Sequence, residues 1–457
     1  MATVPRSRQL ASWIAAVRVD DLPASARMLL KLCILDHFGC AIGALDTDVA
    51  HAALRASGVS AAGACTVIGS KTPASGESAA LANGVISHAL IFDDLHRQSK
   101  LHPGVTVIPA ALAAAQMADA DGARFLAGIA AGYETVARVG IAVGMAAHRA
   151  AGWRATGTCG SFGGAAAAAR VLELDADCTH DAIAFAAAQA SGTWAFAAGG
   201  GMELYLAAGT AARNGVVAAS LAHSGFRGAA DPLETRDGGF FSTTSAEPKP
   251  ELLTHELGER LRLADTCIKM YPTCHSTQTG VDAVLNLRAK HRIAAQQVER
   301  IEVRAGEITR IQCGWPFEPG PPSRMIFHLG YAMALALVRG RLLPADFEGA
   351  SLHDPELVRI ARSTRVVDDP ELTAIYEQMK PCDVTIVLRD GRALRERVDF
   401  CRGEPENPPT QEAVVQKFRD LTAAGLPDSA ADRVIEFVLD LERLANLHPL
   451  TEALCLS

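Results

Sequence analysis

Between residues 83 and 112 an alanine-rich background carries His88, Phe92, Asp93, Asp94, His96, Arg97, Lys100 and His102-Pro103. Two adjacent carboxylates and three imidazoles within about fifteen residues can supply a base, an acid and an orienting partner for proton transfer, provided the fold turns them toward one cavity. The same residues also suit a charged corner between two helices, with His88 and Asp93 as caps. Imidazole titrates near neutral pH, which makes a histidine of this stretch, such as His102, a candidate base; Asp93 or Asp94 would orient it and raise its basicity. The competing reading is a helix-end histidine for His102 and a helix cap for Asp94. Arg154 stays protonated at physiological pH and is no base, but its planar fork suits a substrate carboxylate.

Other chemistries have weaker signatures. His88, His96 and His102 with Asp93 have metal-ligand chemistry, but no H-x-x-x-H on one helix and no cysteine pair fixes a geometry, so no metal is expected. The glycines at 199–201 lack the Lys-Ser/Thr that completes a phosphate loop. The eleven cysteines are scattered singly with no C-x-x-C, as expected for reduced, mostly buried thiols. Cys274-His275 invites a thiolate–imidazole reading, yet adjacent side chains usually point apart.

The elements that must position these groups follow from composition and periodicity. Of 457 residues, 49% are apolar but only 5% aromatic, which favours close-packed helices. The net charge of −8, without a basic tract, excludes nucleic acid as an expected partner. No signal peptide is read at the amino end and no apolar run reaches the ~20 residues of a membrane span, so a cytoplasmic protein is expected. Helical spacing dominates 25–45, 79–90, 108–120, 122–147, 161–174, 180–190 and 207–224, and this half reads as all-helical. Residues 298–303 alternate as a strand does, and 384–388 with 395–400 flank an Asp390-Gly391 turn, a hairpin signature. Helices are expected at 277–290 and 325–339, and an amphipathic helical tail at 410–454. The expected fold is mainly α with a smaller α+β part: a helical domain of 1–264 plus 405–457 and an inserted α+β domain of 265–404, with a small-molecule cleft where the chain crosses between them.

Several landmarks resemble the MmgE/PrpD family. They are Asn83-Gly84, His88-Ala89-Leu90, Phe92-Asp93-Asp94, His102-Pro103, residues 107–112, Gly132-Tyr133-Glu134, the Gly152-Trp153 to Gly163 segment, residues 209–215, and Lys269-Met270-Tyr271-Pro272-Thr273-Cys274. The resemblance implies a homodimer of helical domains with an α+β lid, and cofactor-free proton transfer next to a carboxylate of a small polycarboxylate. It implies that His102 is a catalytic histidine, that Tyr331 is a proton-donating lid tyrosine, and that Lys269 and Tyr271 close over the substrate. Cys274 stands where some relatives carry a histidine, among the substrate contacts with Asp94 and Arg154.

The chain departs from the family pattern at Ile91 (an acid in relatives), Arg154 (a histidine), Glu203-Leu204 (Thr-Lys), Ala207 (a histidine) and Gln278 (a histidine). Expelling hydroxide needs a general acid at the departing oxygen, worth roughly 100- to 10,000-fold. Epimerisation or isomerisation, which needs only a base and a proton return, is therefore expected ahead of dehydration or decarboxylation. The alternative is a diverged binding or assembly protein.

Overall fold

A computed structural model describes residues 4–56, 63–199 and 201–455; Gly200 of the glycine run lies outside them. The fold is 59% helical and 8% strand, mainly α with a smaller α+β part. The chain forms two compact units, Met1–Ile268 with Thr410–Ser457, and Lys269–Pro409.

The helical unit is built from α1 (Ala24–Gly43), α2 (Gly76–His88), α3 (Gly104–Met117), α4 (Gly122–Ala142), α5 (Gly160–Val171), α6 (Ala176–Gln189) and α7 (Glu203–His223). Small residues let these helices approach backbone to backbone. A Cβ on Gly84 of α2 would meet the Gly209 Cα of α7 at 2.8 Å, and one on Gly215 of α7 would meet the Gly164 carbonyl carbon of α5 at 2.3 Å. The first crossing fixes the carboxyl half of α2 against α7, and the second fixes α7 against α5. Helix α4 is long and apolar enough to cross a bilayer, but 94% of its apolar window is buried as the core of this unit.

Two landmarks of the sequence are internal clasps of this unit. Tyr133 donates to Asp94 Oδ2. The next residue, the fully buried Glu134, pairs with Arg138 at 2.6 Å and accepts from the Leu263 amide at 2.9 Å. Arg138 donates to four carbonyls, those of Leu253, His255, Glu256 and Arg260. The irregular segment before residue 266 is thereby tied to α4. The first half is not purely helical: β1 (Leu95–His96) pairs antiparallel with β2 (Thr266–Cys267), because His96 turns inward and its ring bonds Ser99 and the Arg262 carbonyl.

In the second unit, α8 (His275–His291), α9 (Leu329–Arg339) and α10 (Pro355–Ser363) accompany a four-stranded sheet of β3 (Val298–Ala305), β4 (Thr364–Asp368), β5 (Cys382–Leu388) and β6 (Ala393–Val398). The strand order is β4-β3-β5-β6, with β3 and β4 parallel and the other pairs antiparallel. The β5–β6 hairpin turns at Gly391, whose φ of 90° suits glycine. Strand β4 was not expected; its 364–368 run is half exposed and lacks a clean apolar alternation. The tail returns to the first unit as α11 (Gln411–Thr422) and α12 (Asp428–Leu439), with α11 packed on α1.

Candidate active site

Helix α2 ends at His88, and the segment that follows turns back on it. Ile91 donates its amide to the His88 carbonyl at 3.0 Å while holding φ at 52°. A β-branched residue in the left-handed region costs about 1–2 kcal/mol and persists only where surrounding structure enforces it. The enforcement is visible: Lys417 of α11 donates to the Phe92 carbonyl at 2.7 Å, lies 3.6 Å from the Phe92 ring centroid, and pairs with Asp36 of α1. Asp94 accepts from the Gly104 amide at 2.9 Å and from Tyr133, and so caps α3. Only glycine fits there, since a Cβ on Gly104 would lie 2.8 Å from both the Asp94 carboxylate and the Tyr133 hydroxyl. Burial pushes the Asp94 carboxyl up to about 7, against the pull of Tyr133 and the Gly104 amide.

With Asp94 turned into the fold, Asp93 is left to join two histidines. Its Oδ1 lies 3.0 Å from His88 Nδ1 and its Oδ2 2.7 Å from His102 Nδ1. His88 Nε2 lies 2.7 Å from Arg154 Nη2, and the two imidazoles meet edge to face at 4.8 Å. A guanidinium only donates and a carboxylate only accepts, which fixes the protons: Arg154 gives to His88 Nε2, and both histidines give from Nδ1 to Asp93. Burial pushes the His88 imidazole down to about 3 despite Asp93, so it is neutral throughout the physiological range. Burial works to raise the Asp93 carboxyl, but its interactions with the His88 and His102 rings, hydrogen bonds included, hold it well below the usual range.

The exposures differ in a way that matters. The His88 and Asp93 side chains are 0% and 2% exposed, while the His102 ring is 19% exposed. With its proton on Nδ1, the His102 lone pair sits on Nε2, across the ring from Asp93. Arg154 precedes a single helical turn, Ala155–Thr158, and Thr156 Oγ1 of that turn accepts the His102 amide at 3.3 Å. One short turn therefore places both Arg154 and His102. Arg154 itself is 3% exposed; burial lowers its pKa to about 10, with Asp93 and Tyr205 pulling upward, so it remains a cation. Its Nη1 has no hydrogen-bond partner among the described residues.

Three potential ligand atoms on His88, Asp93 and His102 lie within 4.8 Å of one another, a metal-like spacing. Both His88 nitrogens are engaged, one by a guanidinium, and that cation disfavours a divalent ion at this point. Two surface depressions of about 330 and 320 Å³, one lined by Lys31 and Arg443 and the other by Arg6 and Glu234, include none of the cluster residues.

The second unit holds the remaining candidates. Tyr331 is fully buried; its hydroxyl donates to the Asp346 carbonyl at 2.8 Å, its ring stacks on Phe317, and burial raises the phenol well above its usual range. Tyr271 donates to Asp282, which also accepts the Arg402 amide and so ties the start of α8 to the segment after β6. Cys274 is the N-cap of α8. A hydrogen bond from Cys313 lowers its thiol against the push of burial, helped by the Ser276 amide and the charges of Lys380 and Lys269. Lys269 is 3% exposed. Next to Cys274, His275 turns to Lys380 at 3.1 Å and Glu404 at 3.3 Å.

Within the helical unit, then, Asp93, His102 and Arg154 converge, and Asp94 stands beside them as a cap. His88, which joins the three, carries no assigned site role in the sequence reading. Its signal is a histidine at a helix end five residues before an acid, useful only if a left-handed residue reverses the chain between them. Tyr205, whose ring lies 6.1 Å from His88, and Phe196, whose ring centroid is 5.6 Å from the Arg154 guanidinium, gave no signal at all.

The chain matches the MmgE/PrpD N-terminal domain over residues 8–253 and the MmgE/PrpD C-terminal domain over residues 271–443. It is 28% identical to a cis-aconitate decarboxylase of Aspergillus terreus over 468 aligned residues, covering 98% of this chain and 95% of that protein. It is 25% identical to the cis-aconitate decarboxylase of Homo sapiens, covering 98% and 94%. A 2-methylcitrate dehydratase of Cupriavidus necator is 26% identical over 63% of this chain and 62% of its own length.

Proposed function

Because the chain belongs to the MmgE/PrpD family, we propose that it is a cofactor-independent lyase or isomerase that moves a proton on the carbon next to a carboxylate of a small di- or tricarboxylate. The observation that carries this reading is the Arg154–His88–Asp93–His102 chain, in which a buried cation is linked through His88 to the carboxylate that a partly exposed imidazole also binds.

His102 Nε2 takes the proton alpha to the substrate carboxylate. The imidazolium that forms is held by Asp93, whose charge is already in place and whose second oxygen is fixed by His88. Arg154 pairs with the carboxylate whose neighbouring carbon becomes the carbanion, stabilising charge as it spreads onto the carboxylate oxygens. Return of the proton to the same carbon gives exchange or epimerisation; return to an allylic carbon gives isomerisation. Tyr331 and Tyr271, whose hydroxyls serve Asp346 and Asp282, take no part in the step. Asp94 acts through the loop, by holding residues 93 and 94 in place. Lys269 and Cys274 are assigned to anion binding in the second unit.

Epimerisation or isomerisation stands ahead of dehydration, since among the described residues of the helical unit the cluster offers one partly exposed acid–base group, His102. Decarboxylation is the second reading, favoured by similarity over nearly the full length to proteins named cis-aconitate decarboxylase. The test is incubation of the purified protein in deuterium oxide with a panel of di- and tricarboxylates, followed by NMR, with carbon dioxide release measured in parallel. Exchange at one carbon without gas release supports the first order of reactions. Gas release from cis-aconitate supports the second, and binding with neither supports a diverged binding protein.

A further inference from the structure

The surroundings of Arg154 say more about the substrate than its charge does. Arg154 is 3% exposed, its Nη1 has no hydrogen-bond partner among the described residues, and the Asp93 charge that supports it is already held by two histidines, so an anion meeting Nη1 offsets hydration lost on burial. Its neighbours in the helical unit are rings. His88 covers one edge, Phe196 lies 5.6 Å away, and the Tyr205 ring stands 6.1 Å from that of His88. Trp194 continues this wall, 5.0 Å from Phe196 and capped by Arg149 at 4.1 Å.

The wall is built into the backbone. Arg154 N donates to the Gly192 carbonyl and Trp194 N to the Gly152 carbonyl, so two short segments pair around a Trp153–Thr193 bridge. Gly192 has φ 124°, closed to other residues, and a Cβ on Gly157 would meet the Ser191 carbonyl at 2.4 Å. The aromatic segment is thus held beside the arginine by contacts that only glycines permit.

Resting on the reading of this cluster as the active site, we infer that the preferred substrate is a dicarboxylate with an apolar alkyl or aryl substituent beside the carboxylate that Arg154 pairs. A further carboxylate in that position would be desolvated against Phe196 and Tyr205, whereas an apolar group gains there from burial and from ring contacts.

The test is calorimetric binding of 2-phenylsuccinate, 2-methylsuccinate and propane-1,2,3-tricarboxylate to the full chain at one ionic strength. The 2-phenyl acid is expected to bind about tenfold tighter than the tricarboxylate, the gain from burying part of one ring. Phe196→Ala removes most of that ratio, by weakening the 2-phenyl acid and relieving the tricarboxylate, and Phe196→Leu restores part of it. A native chain that prefers the tricarboxylate, a ratio untouched by Phe196→Ala, or binding of none of the three acids overturns the inference. Failure of the reaction reading is separable: the preference without deuterium exchange leaves the subsite standing, while exchange confined to tricarboxylates leaves the reaction standing and removes the subsite.

Discussion

Buried polar side chains fill both units, and they are used differently. In the α+β unit the Tyr331 and Tyr271 hydroxyls are each bound to a group of the same unit, and both phenols are raised by burial. In the helical unit Asp93 joins two histidines, and the chain it anchors reaches a guanidinium nitrogen with no hydrogen-bond partner among the described residues and an imidazole that is partly exposed. Complete pairing stabilises a fold. Incomplete pairing, at some cost in stability, keeps groups available for a ligand. The difference between these two sets of residues lies in the open Arg154 nitrogen and the exposure of the His102 ring; elsewhere in the α+β unit single buried atoms such as Gln278 Oε1 and His328 Nε2 also lack a partner among the described residues.

The sharpest way to break that comparison is to exchange roles. Arg154→Gln should weaken binding of carboxylate substrates roughly 100-fold, the worth of a charge-assisted pair in a buried setting. Tyr331→Phe should leave turnover within about twofold and lower stability by about 1 kcal/mol, one hydrogen bond. Steady-state kinetics and urea unfolding of the two variants check both. If Tyr331→Phe abolishes turnover while Arg154→Gln is mild, the regions have been read the wrong way round.

Asp94 sharpens the comparison inside the helical unit, as a cap placed beside the candidate base. A carboxyl raised to about 7 keeps its proton in the folded chain. Its contribution to stability is therefore complete below the ordinary carboxylate range and is lost as pH rises through 7. Asp94→Asn cannot ionise. Its melting temperature relative to the native chain should rise between about pH 4 and pH 7 and level off above that, with up to ~4 kcal/mol at stake. A difference that does not vary with pH contradicts the assignment.

How much of this was legible in the sequence depended on range. Helices α1 to α7 follow from apolar spacing, and the β5–β6 hairpin from Asp390-Gly391, because those signals are local. The Asp93–His102 pair could be suspected from type and nearness. His88 could not be placed, because its role depends on Ile91 adopting a left-handed conformation that β-branched residues avoid, imposed by Lys417 more than 300 positions away. The Gly132-Tyr133-Glu134 landmark stood out as a motif, but its use as a clasp on Asp94 and Arg138 needed the fold. Tyr331 shows the converse, since the position was legible and the Asp346 carbonyl that takes its hydroxyl was not.

The central claim is that His102 removes the proton and Asp93 orients it. The most direct test is solvent-deuterium incorporation by His102→Gln and Asp93→Asn on the acid that the native chain exchanges best, with folding verified by circular dichroism. The account predicts that His102→Gln loses exchange almost entirely, while Asp93→Asn keeps a weakened activity with a displaced pH profile. Near-native exchange by a folded His102→Gln variant would contradict it and move the chemistry to another group.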